Sequence, residues 1–478
     1  MSAPMKCSRF PILSTLAAAI AATGCSASNP ANSGISSSDA GFDGVAPLDP
    51  DAGIGSDGRI LTKCQAFPLK GLQYSPGGTV VPNKCAPFNT LTNNPYAIRC
   101  IDAMPAFKTP FAGDDLCILP PPPDKGVQVG LHPQGKDYWT QMWAGNYRGY
   151  DKPADVWVLK PGQEVTQNYV SNVSDPNSHN YYREYFRMRT GTHHNIITLN
   201  QNTGGVPDGW VALDPGEEAA PAIVGSKIGP SVGVIGGSQR PDDQNPATLD
   251  KPTEDKGYYL QWAANPAVVF NIHHINAGVA PLLREAWVNI WWESDATLLE
   301  SWFMGLPLSE PKSLALAPGS VTDLHYSWTV SGTTPIRIVR AFGHRHFWDT
   351  NFTSWIEPSG GGAPEVIYQS FNWNDMPTYA YNDEIKNPKP DPTKSVDGAA
   401  SGMTKLNPGD KLHFNCHIEY TDAHAASDPS APSPETNGTL YFANETFKAE
   451  MCVMFGNSTS QLGYPVVDST PVPTFASK

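Results

Sequence analysis

The sequence is poor in charge and lacks the short motifs that mark many enzymes. Only 16% of its 478 residues are charged, and 46 acidic side chains outnumber 32 basic ones, for a net charge of −14. That balance argues against a nucleic-acid backbone as partner. There is no G-x-G-x-x-G and no phosphate-binding loop, so dinucleotide and nucleoside triphosphate chemistry have no sequence support. H-E-x-x-H is absent, which removes a helix-borne zinc protease site. C-x-x-C and C-x-x-C-H are absent too, which removes zinc ribbons and c-type haem attachment. No internal repeat is visible, and beyond the N-terminus no apolar run reaches the roughly 20 residues of a membrane span. What the chain does hold is turn formers and aromatics: Pro 46, Gly 42, Trp 13, Tyr 18 and Phe 18. Many turns between short aromatic-rich segments read as all-β.

The first residues, "MSAPMKCSRF", carry Lys6 and Arg9 and precede the short apolar run "PILSTLAAAIAA". This is the pattern of an export signal. It ends in "ATGC", which resembles the lipobox of bacterial lipoproteins, with Cys25 as the lipid-bearing first residue of the mature chain. The expectation is an exported protein, held to a bacterial outer membrane or cell surface by a lipid anchor alone. Residues 26–60 are small, polar and acidic, and read as a flexible tether. Cys64, Cys85, Cys100, Cys117, Cys416 and Cys452 remain, an even number that fits three disulfides in oxidising surroundings. The spacing does not decide the pairing among the first four.

From about residue 155, strand-like segments recur between turn-rich linkers. Examples are "PAVVFNIHH" (266–274), "EAWVNIWWE" (285–293), "IRIVRAFGHRH" (336–346) and "DKLHFNCHIEY" (410–420). Several alternate as half-buried strands do. The expected organisation is a signal peptide (1–25), a linker (26–60) and a cysteine-containing extension (61–154). Two tandem antiparallel β-sandwich, jelly-roll-like domains follow (155–280 and 281–465), then a tail (466–478).

Among twelve histidines, three groups stand out: "GTHHNI", "NIHHIN" and "GHRHF". Neutral imidazole suits copper and zinc. Strand residues i and i+2 share a face, so His344 and His346 project together. In "EMCVMFG" (450–456), Met451 offers a thioether, a soft donor matched to Cu(I). A His-His, a second His-His, a His-x-His and "EMC", in that order over roughly 155–460, resemble the copper type II, ascorbate-dependent monooxygenases. The peptidylglycine α-hydroxylating and dopamine β-monooxygenases belong to that family.

The resemblance implies two coppers per chain, facing each other across an open cleft. An electron-storing copper would take His193, His194 and His273, and an oxygen-binding one His344, His346 and Met451. It implies a non-coupled dicopper enzyme that hydroxylates a C–H bond with dioxygen and two electrons from ascorbate or another one-electron donor. Strand parity agrees with the carry-over. Val268, Phe270, Ile272 and His274 form the apolar face of their segment, so His273 points the other way. In "KLHFNCHIEY", Leu412, Phe414, Cys416, Ile418 and Tyr420 face inward, which sets His413 and His417 on the surface. If Cys416 pairs with Cys452, Met451 points away from the core.

Peptide-amidating relatives hold a substrate carboxylate with an Arg, an Asn and a Tyr. The matching positions here are Phe342, Val453 and Phe455. None can pair with a carboxylate, and burying one unpaired costs several kcal/mol. The expected substrate is therefore a small, uncharged, apolar or aromatic molecule. Two other readings are a non-catalytic copper-binding or storage lipoprotein, and an adhesive or carbohydrate-binding sandwich with incidental histidines.

Overall fold

The computed structural model describes residues 72–74, 80–82 and, with gaps, 99–475; the longer gaps are 212–230, 240–257, 299–313, 382–386 and 461–465. The signal peptide with Cys25, the tether, Cys64 and Cys85 lie outside the described residues. None of the described helices is long and apolar enough to cross a membrane.

Twelve strands matter here. They are β1 (Gly126–Leu131), β2 (Glu164–Asn172), β3 (His179–Met188), β4 (Thr192–Gln201), β5 (Ser231–Ser238) and β6 (Pro266–Ile275). Then come β7 (Ala286–Trp292), β8 (Ser320–Thr329), β9 (Ile336–Arg345), β10 (Asp349–Glu357), β11 (Lys411–Tyr420) and β12 (Cys452–Ser458).

Among the described residues the protein is mostly β, with 49% strand and 8% helix, but its sheets form a five-bladed β-propeller and not two tandem β-sandwich domains. Five sheets have three or more strands. One runs Thr297–Leu298, Tyr258–Trp262, β3, β7, β1, and the next Gly209–Val211, β2, β6, β4, β5. A six-stranded sheet runs Gly398–Ala399, Glu365–Ser370, β10, β11, β8, Val466–Val467. In another, β9 pairs with β12, Tyr379–Ala380 and Thr404–Leu406. Ala315–Leu316, Leu440–Phe442 and Ala449–Glu450 make the fifth.

The sandwich expectation assumed one wet face per strand. Instead, nine of ten residues in β4 and in β6 are buried, so both faces of those strands are covered. Alternation survives as a choice between two buried environments. Val268, Phe270 and Ile272 join a large core with Phe186, Leu199 and Val288, while Ala267 and Val269 pack with Val170 on the other side. The chain also turns back across residue 280. β7 pairs with β3 and β1, and Leu282–Leu283 pairs with Val158–Leu159.

Cys100 and Cys117 form a disulfide within a core shared with Tyr185 and Trp287, which places that part of the extension against β3 and β7. Cys416 and Cys452 form a second, with Cα atoms 5.9 Å apart. Both of its cysteines belong to the core of the six-stranded sheet. It closes a separation of 36 residues, for which chain entropy gives about 4 kcal/mol. Replacing both Cys416 and Cys452 with Ala should lower the unfolding free energy by about that amount. Denaturant titration checks it; an unchanged midpoint would mean that packing alone holds β12.

Candidate metal centre

β12 shows how the histidine region is built. Its even-numbered residues Cys452 and Met454 enter the core of the six-stranded sheet. The odd-numbered Met451, Val453 and Phe455 pack instead with Phe342 and Ile196. β9 lies alongside, with Phe342 opposite Phe455 and His344 opposite Val453. Ile196 comes from β4, so β4 meets β9 and β12 face to face. The histidines of both strand groups meet at this seam.

The side chains of His193, His194, His273, His344, His346 and Met451 are all buried. His193 has ring centroids of His194, His273, His344 and His346 at 5.6, 5.2, 5.7 and 5.6 Å. His194 and His344 are closer, at 4.6 Å. His344 Nε2 lies 3.2 Å from Met451 Sδ. All six residues assigned by sequence therefore meet. Among the described residues they form one cluster, in which rings of the two expected sets touch. The ligating atoms of His193, His273 and His346 lie within 4.8 Å of one another, which mixes the two expected sets.

Adjacent residues on a regular strand face opposite ways, yet His193 and His194 share this cluster. A bulge explains it: His273 pairs with His194, and His274 with Thr192, so His193 has no partner across the ladder. The extra residue turns both side chains to one side. Of His273 and His274, His273 is the one whose ring joins the cluster. His274 points away from the cluster, where its Nδ1 accepts from Arg284 Nε at 3.4 Å.

Three supporting residues carried no signal in the sequence. Glu164 Oε1 accepts from His273 Nε2 at 2.9 Å and from the Thr446 N–H at 2.7 Å. Gln239 Nε2 donates to the carbonyls of Arg345 and Trp373 at 3.1 and 2.9 Å, and lies 3.0 Å from His193 Nε2. Glu450 is fully buried, and its carboxyl accepts the N–H groups of His346, Asp349 and Met451 at 2.6, 3.0 and 2.8 Å. Burial, reinforced by Asp349, raises the Glu450 carboxyl well above its usual range. Burial also opposes ionisation of Glu164, but its bonds to His273 and Thr446 outweigh that and hold it at about 2.

The donor set fits a soft transition metal. Because Glu164 takes the Nε2–H of His273, the Nδ1 lone pair is left, buried and without a hydrogen-bond partner. His194 Nδ1, His344 Nδ1 and both ring nitrogens of His346 are also buried and unpartnered. Such groups are costly unless something binds them. Burial, then the neighbouring rings, pushes His193, His194 and His344 well below the usual imidazole range, and His346 to about 3. Neutral imidazole is the ligating form.

Phe342, Val453 and Phe455 stand where the sequence puts them, beside Met451. They fill their own space, with the Phe342 and Phe455 rings stacked at 4.8 Å. Both nearby cations are engaged: Arg340 pairs with Glu184, and Arg345 with Asp349. The surface assignment of His413 needs correction. It is 1% exposed, because Trp355 stacks on its ring at 4.9 Å and His325 and Asp468 close around it. Burial, with His325 beside it, pushes His413 down to about 4. His417 remains partly exposed, 2.9 Å from Asp323.

No protein-family model matches the chain, and no curated protein matches it either.

The buried histidines give stability a definite pH dependence. Unfolded, His193, His194, His344 and His346 each bind a proton near 6.5; folded, His346 does so only near 3 and the other three well below 6.5. The unfolded chain thus binds more protons in that window, and stability rises with pH. The metal-free protein should hold its full melting temperature above about pH 6.5 and lose it steadily as the pH falls toward 3. A flat melting temperature from pH 7 to 4 would show that these rings are solvated.

Proposed function

We propose that this protein is a copper-dependent monooxygenase that hydroxylates a C–H bond of a small, uncharged, apolar or aromatic molecule. One observation carries the reading: five buried imidazoles converge with a thioether, and half of their ten ring nitrogens are buried without hydrogen-bond partners. Six donors divided between two ions give three each, the number expected from the resemblance. Thioether and imidazole together favour copper over zinc or magnesium. Bound copper would supply one-electron and dioxygen chemistry; substrate, dioxygen, two electrons and two protons would give alcohol and water. Ascorbate or another one-electron donor is the proposed reductant.

The chain's own part is positioning and exclusion of water. Glu164 fixes the ring of His273 with Nδ1 free to ligate. Glu450 clamps the backbone on either side of the ligand pair His346 and Met451. Phe342, Val453, Phe455 and Ile196 make the surroundings of Met451 apolar. With Arg340 and Arg345 already paired, a substrate carboxylate would find no cation there. Substrate entry requires the seam between β4 and β9/β12 to part. The export signal and Cys25 suggest an outer-membrane or cell-surface enzyme held by its lipid.

The tightness of the cluster favours a second reading, a surface lipoprotein that binds or stores copper without turnover. Metal analysis of copper-loaded protein should give about two coppers per chain, and none would reject both. Reductant-dependent oxygen uptake with a neutral aromatic alkyl substrate separates enzyme from store. Met451→Ala should abolish hydroxylation while the fold and at least one copper persist. His193→Ala and His273→Ala should each lose copper and turnover, and His417→Ala neither. An active Met451→Ala enzyme would sink the ligand assignment. Efficient turnover of a glycine-extended peptide, with none of the neutral compound, would refute the substrate class.

A further inference from the structure

A second histidine cluster lies on the six-stranded sheet. His325 of β8 and His413 of β11 are 4% and 1% exposed. His325 Nε2 and His413 Nδ1 are 2.9 Å apart. Asp468 Oδ2 is 3.8 Å from that same His413 nitrogen. The three groups offer ligand atoms within 4.8 Å of one another. Trp355 covers both rings from one side, at 5.0 and 4.9 Å. Asp468 follows Val466–Val467, which pairs with β8, and its backbone N–H donates to the His325 carbonyl at 2.8 Å.

With both rings neutral, the protons in this cluster do not balance. His325 Nδ1 is 3.1 Å from the Thr470 carbonyl, which can only accept, so Nδ1 carries the hydrogen and Nε2 a lone pair. That lone pair faces His413 Nδ1. If a neutral His413 donates from Nδ1, its Nε2 lone pair is set 3.2 Å from the Glu357 carboxylate. If it carries the hydrogen on Nε2, two lone pairs oppose each other at 2.9 Å. Either arrangement is repulsive. His413 Nε2 is buried and makes no hydrogen bond.

We propose that His325, His413 and Asp468 bind a divalent ion of the zinc class, which fastens the C-terminal segment onto β8 and β11. The ion would sit between His325 Nε2, His413 Nδ1 and Asp468 Oδ2. Zinc bonds of about 2.0–2.1 Å in a tetrahedron space ligand atoms about 3.3 Å apart, between the 2.9 and 3.8 Å found here. Of the remaining ring nitrogens, His325 Nδ1 donates to the Thr470 carbonyl, and His413 Nε2 lies 3.2 Å from a Glu357 carboxylate oxygen without a formed hydrogen bond. A carbonyl or carboxylate behind a ligating histidine is the usual support. Asp468 is steadied as well: Thr470 donates to its Oδ1 from N and from Oγ1, at 2.9 and 2.7 Å. The set has no thioether and shares no residue with the His193/His344 cluster, so the proposal stands whether or not the copper reading does.

The test is zinc binding by the metal-free full-length chain, measured by equilibrium dialysis with metal analysis. The parent should bind one zinc more than His325→Gln and one more than Asp468→Asn. Asp468→Asn changes a side chain at the rim of the cluster, so it keeps the measurement valid if His325→Gln does not fold. Chelation should also make the C-terminal segment cleavable by protease in the parent, and zinc should restore protection in the parent but not in the variants. Equal zinc content in parent and Asp468→Asn overturns the proposal. So does a parent that binds no zinc, since one imidazolium in the histidine pair would then account for the contacts.

Discussion

Five imidazoles share one dry space, and burial there opposes added protons, pushing His193, His194, His344 and His346 below the usual imidazole range. A single proton would face its neighbours' rings and the loss of water at once, and burial makes that repulsion strong. The rest of the site follows from this constraint. Unpaired ring nitrogens can be lone-pair donors, so the set is poised for a cation more concentrated in charge than a proton-bearing ring. The same constraint explains why the surroundings hold so few free charges: Arg340 and Arg345 are tied to Glu184 and Asp349, and Glu450 is pushed toward its neutral form.

Holding six donors together takes backbone devices as well as packing. The bulge at His193 brings two consecutive residues to one side of β4. The Glu450 carboxyl replaces ladder hydrogen bonds where the chain leaves β9 and enters β12, fixing His346 and Met451 relative to each other. The disulfide from Cys416 to Cys452 anchors the residue beside Met451 in the opposite core, so the thioether has a fixed exit direction.

Much of this was legible in residue patterns. The period of two separated His273 from His274, placed Leu412 through Tyr420 in the core, and set Met451, Val453 and Phe455 on the side away from Cys452. What alternation cannot say is what covers the second face. An outward residue is wet only if no other sheet lies against it, and that depends on contacts between distant segments. For this reason tandem sandwiches were expected in place of the propeller, His413 was set in solvent, and two facing ligand sets were expected where one cluster stands. Glu164 and Gln239 carried no signal because each reaches the site across more than forty residues of sequence. The neighbourhood of His193 and His194 hides its bulge, since an extra residue in a ladder leaves no mark in one strand alone.

Glu164 serves two partners with one oxygen: the ring of His273, and the backbone of Thr446, 282 residues away. Thr446 lies just before the Ala449–Glu450 strand and Met451. The carboxylate is therefore a mechanical link between β6 and the segment that carries the thioether. If that segment is drawn aside, Glu164 gains water and loosens its grip on His273, whose ring is then free to rotate. Parting the seam and unlocking the tautomer of His273 become a single event. The six donor side chains stand together only in the closed molecule, and access to them is gained by taking the cluster apart.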